Sequence, residues 1–343
     1  MGEANVLGAG PEPLVEFVRG PFVECVHLGH AVVADSNGIV AAWGDPDAVI
    51  LPRSSCKMLQ ALPLVESGAA DAAGLGAEEL ALACASHQGA AVHVERVGRW
   101  LAGLGMGEDD LRCGPQVPDD REERARLREA GEAPGQVHNN CSGKHAGFLT
   151  LGRHLGAGSE YVEVDHPVQR AVRSAFEEMV GEEVAGWGID GCSAPNFGCT
   201  IAGLARAMAW MARPEGLGRV RGEAVERLVA SMRAHPLLVA GEGRACTELM
   251  EAAAGSVALK MGAEGVYVAI LPERGLGLAL KVADGALRAS EAAVAALLVR
   301  LGVVAKDDPR VAARMLRPEV NRRGLTVGGL RPAAGLWQEG RAI

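Results

Sequence analysis

Apolar and polar positions change period twice along the chain. From Pro21 to Pro46, PFVECVHLGHAVVADSNGIVAAWGDP carries two β-branched apolar runs separated by Asp35-Ser36-Asn37-Gly38, and Asn-Gly supplies the positive φ of a hairpin turn. From Ser256 to Gly285, SVALKMGAEGVYVAILPERGLGLALKVADG shows the same pattern three times, with turns at 262–265 and 273–277. Between these stretches the period is helical. Leu59, Leu62 and Val65 recur at helical spacing, Asp119–Glu132 is a charged helix, and His166–Val180 and Val220–Ala234 are amphipathic. A further helix over Arg288–Leu301 is expected to pack on the sheet. The pattern predicts an α/β protein of the α+β kind. About five antiparallel strands come from both chain ends, with a helical region inserted between them. We read 1–343 as one unit, with sheet at roughly 15–50 and 255–335 and a mainly helical part over 51–254. Arg331–Ile343 reads as a loosely held tail that Trp337 anchors.

Composition narrows the class. The 343 residues are 48% apolar and 22% charged, ordinary for a globular protein with ample core. A net charge of −9, no run of Lys or Arg and 3% aromatics argue against nucleic-acid binding. A small-molecule partner is expected. The start, MGEANVLGAGPEPLVEF, lacks a basic segment followed by an apolar stretch, and no apolar run reaches the ~20 residues of a membrane span. A cytoplasmic location and no membrane partner are therefore expected. The eight cysteines are too thinly spread for a disulfide scaffold, although a metal can claim two of them.

Lysine is the rarity. Only Lys57, Lys144, Lys260, Lys281 and Lys306 stand among 34 basic residues. Guanidinium stays charged under ordinary conditions, whereas an amine can be desolvated into a neutral base or a ligand. A chain that writes Arg almost everywhere keeps Lys where the amine is needed. Ser54 and Lys57 form its single S-x-x-K, at the start of a predicted helix, where one turn would bring hydroxyl and amine to one face. An N-cap Ser beside a solvated Lys is the plainer account of the same letters.

Three other stretches carry reactive groups. CASHQG places Ser86 and His87 after an apolar run, as a second hydroxyl or as a capped turn. HNNCSGKHAG gathers Cys141, Lys144 and His145 ahead of a helix; its spacing suits either a metal or a substrate carboxylate at the helix amides. GIDGCSAPNFG offers Asp190 for an ammonium group and Cys192 to complete a metal site with Cys141. Lys260, in K-M-G, ends a predicted strand, and Lys281 is the competing strand lysine.

In order, RSSCK, CASH, HNNCSGKH, DHPVQ, DGC, HPLLVAGEGR and KMGAEG resemble the rhizobial-type asparaginases, the class 3 or asparaginase II-like family, from about Val15 to Gly329. The resemblance implies a serine β-lactamase-like fold, a homodimer and hydrolysis of L-asparagine to L-aspartate and ammonia. It implies two Ser-Lys pairs, Ser54 with Lys57 and Ser86 with Lys260, and a zinc site of Cys141, Lys144 and Cys192. Ser54 would attack the carboxamide with Lys57 as base, and Ser86 and Lys260 would relay protons. Arg53, His145 and Asp190 are candidates for the charged ends of the substrate. Zinc would orient the substrate rather than attack. The chain departs from the family at Ala90 and Ala91, near which many members have a carboxylate. One rival reading is a serine acyl-transferase of the β-lactamase or penicillin-binding type, against which the absent S-D-N and K-T-G count. The other is a noncatalytic amino-acid-binding or zinc-binding protein.

Overall fold

The computed structural model describes residues 10–337 and 343. Its main sheet has eight strands, all neighbours antiparallel, in the order Pro318–Val320, Thr326–Pro332, Glu12–Arg19, Phe22–Asp35, Leu276–Val282, Val266–Leu271 and Ala258–Met261, with Gly38–Trp43 also paired to Phe22–Asp35. The sheet thus joins both chain ends, and residues 51–254 form the inserted, mainly helical part.

The hairpin expected at Asn37-Gly38 forms. Gly38 has φ 138°, and the Asp35 carboxylate accepts the amides of Asn37 at 2.7 Å and Gly38 at 3.1 Å. Ala31, Val32, Val33 and Ala34 are buried in succession, as in a central strand covered on both faces. The Ile201–Ala212 helix packs on strands 22–35, 266–271 and 276–282; the Leu287–Arg300 helix packs on 12–19, 266–271, 276–282 and 326–332. Strand 276–282 lies so close to the first of these helices that a Cβ at Gly277 would fall on the backbone of Ala205 and Ala209.

Helix limits follow the caps. Asp120 accepts the Glu123 amide ahead of Arg121–Ala130, and the His166 ring accepts the Val168 amide ahead of Pro167–Val180. Two expectations need correction. Strands 12–19, 318–320 and 326–332 raise the main sheet to eight: 12–19 pairs with the distant 326–332, and 318–320 adds to that strand as a local hairpin, which overrides the proline and glycine in those segments. The tail is not loose through residue 337: Leu336 is fully buried, Trp337 packs on the core, and the Trp337 amide donates to Ala333 O at 2.9 Å. The rest of that tail, 338–342, lies outside the described residues.

Gly277→Ala should destabilise the protein by about 1–3 kcal/mol in chemical denaturation, because helix and strand must separate to admit one methyl. An unchanged denaturation midpoint would show that this contact is looser than drawn.

Candidate active site

Three segments distant in sequence deliver one cluster. Lys57 opens the short Lys57–Gln60 helix, directly after the 3-10 turn Arg53–Cys56. Ser86 lies in an extended stretch after the Ala77–Ala83 helix; its amide donates to Val239 O at 2.9 Å, and the next amide, of His87, donates to Asn140 O at 3.2 Å. Lys260 stands on the terminal strand Ala258–Met261. That strand reaches the 3-10 turn because residue 262 is glycine: a Cβ there would fall on Pro52 O.

The Ser86 hydroxyl sits between two amines. Lys57 Nζ donates to it at 3.0 Å and Lys260 Nζ at 2.8 Å, and both lysines are about 1% exposed. Lys57 also donates to Ala85 O and, at 3.1 Å, to Cys141 Sγ; Lys260 also donates to Met261 O at 2.8 Å. Burial, helped by the charge of Lys57, lowers Lys260 to about 7. An amine poised there takes or gives a proton near neutrality.

A second cluster adjoins the first through Cys141. Lys144 Nζ donates to Cys192 Sγ at 3.0 Å. The neighbouring Cys192 sulfur and burial raise Cys141 well above the ordinary thiol value, while Cys141 and the charge of Lys144 lower Cys192 well below it. Burial pulls Lys144 down, but the Cys192 and Cys141 sulfurs outweigh it and hold the amine charged. His145 Nδ1 and the Tyr161 hydroxyl are hydrogen-bonded at 3.0 Å, while the buried Nε2 has no hydrogen-bond partner among the described residues. Burial depresses its pKa to about 4, only partly offset by Cys192, so the ring is neutral.

Just ahead of Lys57, Arg53 adopts a left-handed φ of 54°, rare for a non-glycine residue. Its guanidinium donates to Asp190 Oδ1 from Nε at 3.0 Å and from Nη2 at 2.7 Å, and its amide donates to Asn196 Oδ1 at 3.2 Å. A backbone held this way beside reactive side chains points to function.

A family model described as L-asparaginase II matches residues 15–332. The chain belongs to the L-asparaginase II family, and with it to the amide hydrolases. No curated protein sequence matches it. Among solved structures it is similar to a beta-lactamase from Mycobacterium bovis, at 14% identity and TM-score 0.45, covering 81% of this chain and 95% of that one. It is also similar to Mglu in its glutamate form, at 14% identity and TM-score 0.43, covering 85% and 62%. A Bacillus subtilis glutaminase captured with 5-oxo-L-norleucine is similar at 12% identity and TM-score 0.33, covering 75% and 80%.

In this L-asparaginase II chain the geometry regroups the residues expected from sequence. Ser86 and Lys260 meet as a pair. Ser54 is half-buried and makes no side-chain hydrogen bond among the described residues; Lys57 turns to Ala85, Ser86 and Cys141 instead. Arg53 and Asp190 bind each other, and His145 is neutral and fully buried. Lys281, the competing lysine, donates to Glu264 O at 2.5 Å and Val282 O at 2.7 Å and takes no part in the cluster. Asn140, in the HNNCSGKHAG stretch, accepts at Oδ1 from Cys141 Sγ at 2.9 Å, and sequence reasoning overlooked Tyr161, one of only two tyrosines. Tyrosine scarcity in a chain so poor in aromatics was the available signal. Among the described residues no three His, Cys, Asp or Glu side chains group as metal ligands.

Metal-free protein should show ultraviolet thiolate absorbance at pH 7 that disappears in Cys192→Ser, since Cys192 is the thiol held well below its ordinary value. Equal absorbance in variant and parent would place the thiolate elsewhere.

Proposed function

We propose that the protein hydrolyses the side-chain amide of L-asparagine to L-aspartate and ammonia by Ser-Lys chemistry. The observation that carries the reading is one hydroxyl, Ser86, held by two buried amines, one of which is lowered to about 7. A lysine that is neutral near physiological pH is a base, a role arginine cannot fill.

Ser54 is the nucleophile in this reading, being the more open of the two serines. Lys57 passes a proton to Ser86 Oγ while Ser86 hands its own to neutral Lys260, which leaves Lys57 a free amine three residues from Ser54. Lys57 takes the Ser54 proton as Oγ attacks the carboxamide carbon, then returns it to the leaving nitrogen as the tetrahedral intermediate collapses to an ester and ammonia. Water, deprotonated in the same way, cleaves the ester and restores Ser54. A second reading, direct acylation of Ser86, is favoured by its 2.8 Å bond to the lowered amine.

Zinc belongs to the proposal as a resident ion. Cys141, Cys192 and Lys144 converge in a buried spot, and His145 Nε2 is left unpartnered beside them, as a site shaped around an additional group would leave it. Bound there, the ion would supply fixed positive charge that orients a substrate, and it would hold Lys144 as a neutral ligand. The proposal also includes a cytoplasmic homodimer; Phe22, Val26 and Leu28, exposed on one strand, are available to a second copy.

Ammonia release from L-asparagine by the purified protein is the first test. The acid limb of kcat/KM should bend near pH 7, falling about tenfold per unit below it, because only the neutral form of Lys260 accepts the relayed proton. Lys260→Arg should cost about 100-fold or more and remove the limb. Absence of ammonia release refutes the substrate, and a limb that survives Lys260→Arg refutes the base. Mass spectrometry of a trapped ester should find it on Ser54; an ester on Ser86 supports the second reading. Metal analysis should find zinc in the parent and none in Cys141→Ser.

A further inference from the structure

We propose that Arg244 and Asp119 form the clamp for the amino-acid head group, the guanidinium taking the α-carboxylate and Asp119 the α-ammonium. The inference rests on the amide-hydrolase reading above and names how that site recognises its substrate class.

Arg244 is the loosely held guanidinium near the cluster. Its Nη1 is 3.5 Å from Asp119 Oδ2 and its Nη2 is 3.6 Å from Met261 Sδ, both beyond the distance of a strong charge-assisted bond. Arg53, by contrast, is locked on Asp190 at 3.0 and 2.7 Å. Arg244 and Asp119 are 31% and 51% exposed, so their mutual pairing is worth little and is readily exchanged for a ligand.

Their position suits the role. Met261 follows Lys260, and Lys260 Nζ bonds both Met261 O and Ser86 Oγ at 2.8 Å, so Arg244 lies one residue from the reacting cluster. The loop leading to Arg244 presses on the segment after Ser86: Gly241, at φ 114°, would strike the Gln88 side chain with any Cβ. The Asp120 amide donates to Gln88 O at 3.0 Å and Gln88 Nε2 donates to Asp120 Oδ2 at 3.2 Å. The segments that carry the two charges thus both contact Gln88, two residues beyond Ser86. A zwitterion reaching the pair meets an anion and a cation already set side by side, and each trades a long, solvated contact for a ligand charge.

The test uses the full-length protein with L-asparagine, 3-aminopropanamide, which lacks the α-carboxylate, and succinamate, which lacks the α-ammonium. Arg244→Gln should raise KM for asparagine about 30-fold or more while kcat changes less than about threefold, and the preference over 3-aminopropanamide should collapse. Asp119→Asn should erase the preference over succinamate, and Arg244→Lys should recover part of what Arg244→Gln loses. Equal losses on all three substrates, or a fall in kcat at unchanged KM, would reduce Arg244 to a structural role and overturn the clamp. If the parent protein releases no ammonia, the catalytic reading fails, and calorimetry with L-aspartate decides the clamp separately. Binding that Arg244→Gln weakens by a similar factor supports it; equal binding, or none to the parent, overturns it.

Discussion

Two amines donating to one hydroxyl is the constraint on which the rest of the site depends. Lys57 and Lys260 reach the same oxygen from opposite sides, with almost no water to screen them. Two ammonium ions so placed repel strongly at low dielectric, and the inexpensive relief is for one to give up its proton. Lys260 is the one that yields, because burial disfavours its charge and the neighbouring charge of Lys57 adds to that effect.

The fold holds this arrangement by close approaches rather than by the local order of any single element. A strand near the C-terminus, a 3-10 turn near the N-terminus and an extended stretch between helices must meet within hydrogen-bond reach. Gly262 lets the strand approach Pro52, and Gly241 lets the loop before Arg244 approach Gln88. Through Cys141, which accepts from Lys57, the same cluster adjoins the Cys192 and Lys144 pair.

Much of this was legible in the chain. The hairpin at Asn37-Gly38, the three strands from 258 to 282 and the helices at 167–180 and 219–234 follow from period and caps. The scarcity of lysine marked the residues that crowd the cluster. What escaped depends on distant partners. Strands 12–19 and 326–332 carry proline and glycine, and besides their local hairpin partners they pair with each other, over 300 residues apart at Glu16 and Arg331. The one-turn pairing of Ser54 with Lys57 assumed an α-helix, but the segment starts left-handed at Arg53 and runs as a 3-10 turn, while tertiary acceptors draw Lys57 away. Likewise, no local pattern announces that Arg53 is spent on Asp190, 137 residues away, while Arg244 is left loosely held.

Five lysines make the central claim directly measurable. With lysine labelled at Cε and Nζ, magnetic resonance across a pH titration follows each amine separately, and Lys260→Arg assigns the signal in question. The account predicts an amine that loses its proton near pH 7 and whose signal vanishes in Lys260→Arg. A protein in which Lys260 stays charged until the pH of an ordinary lysine would contradict it.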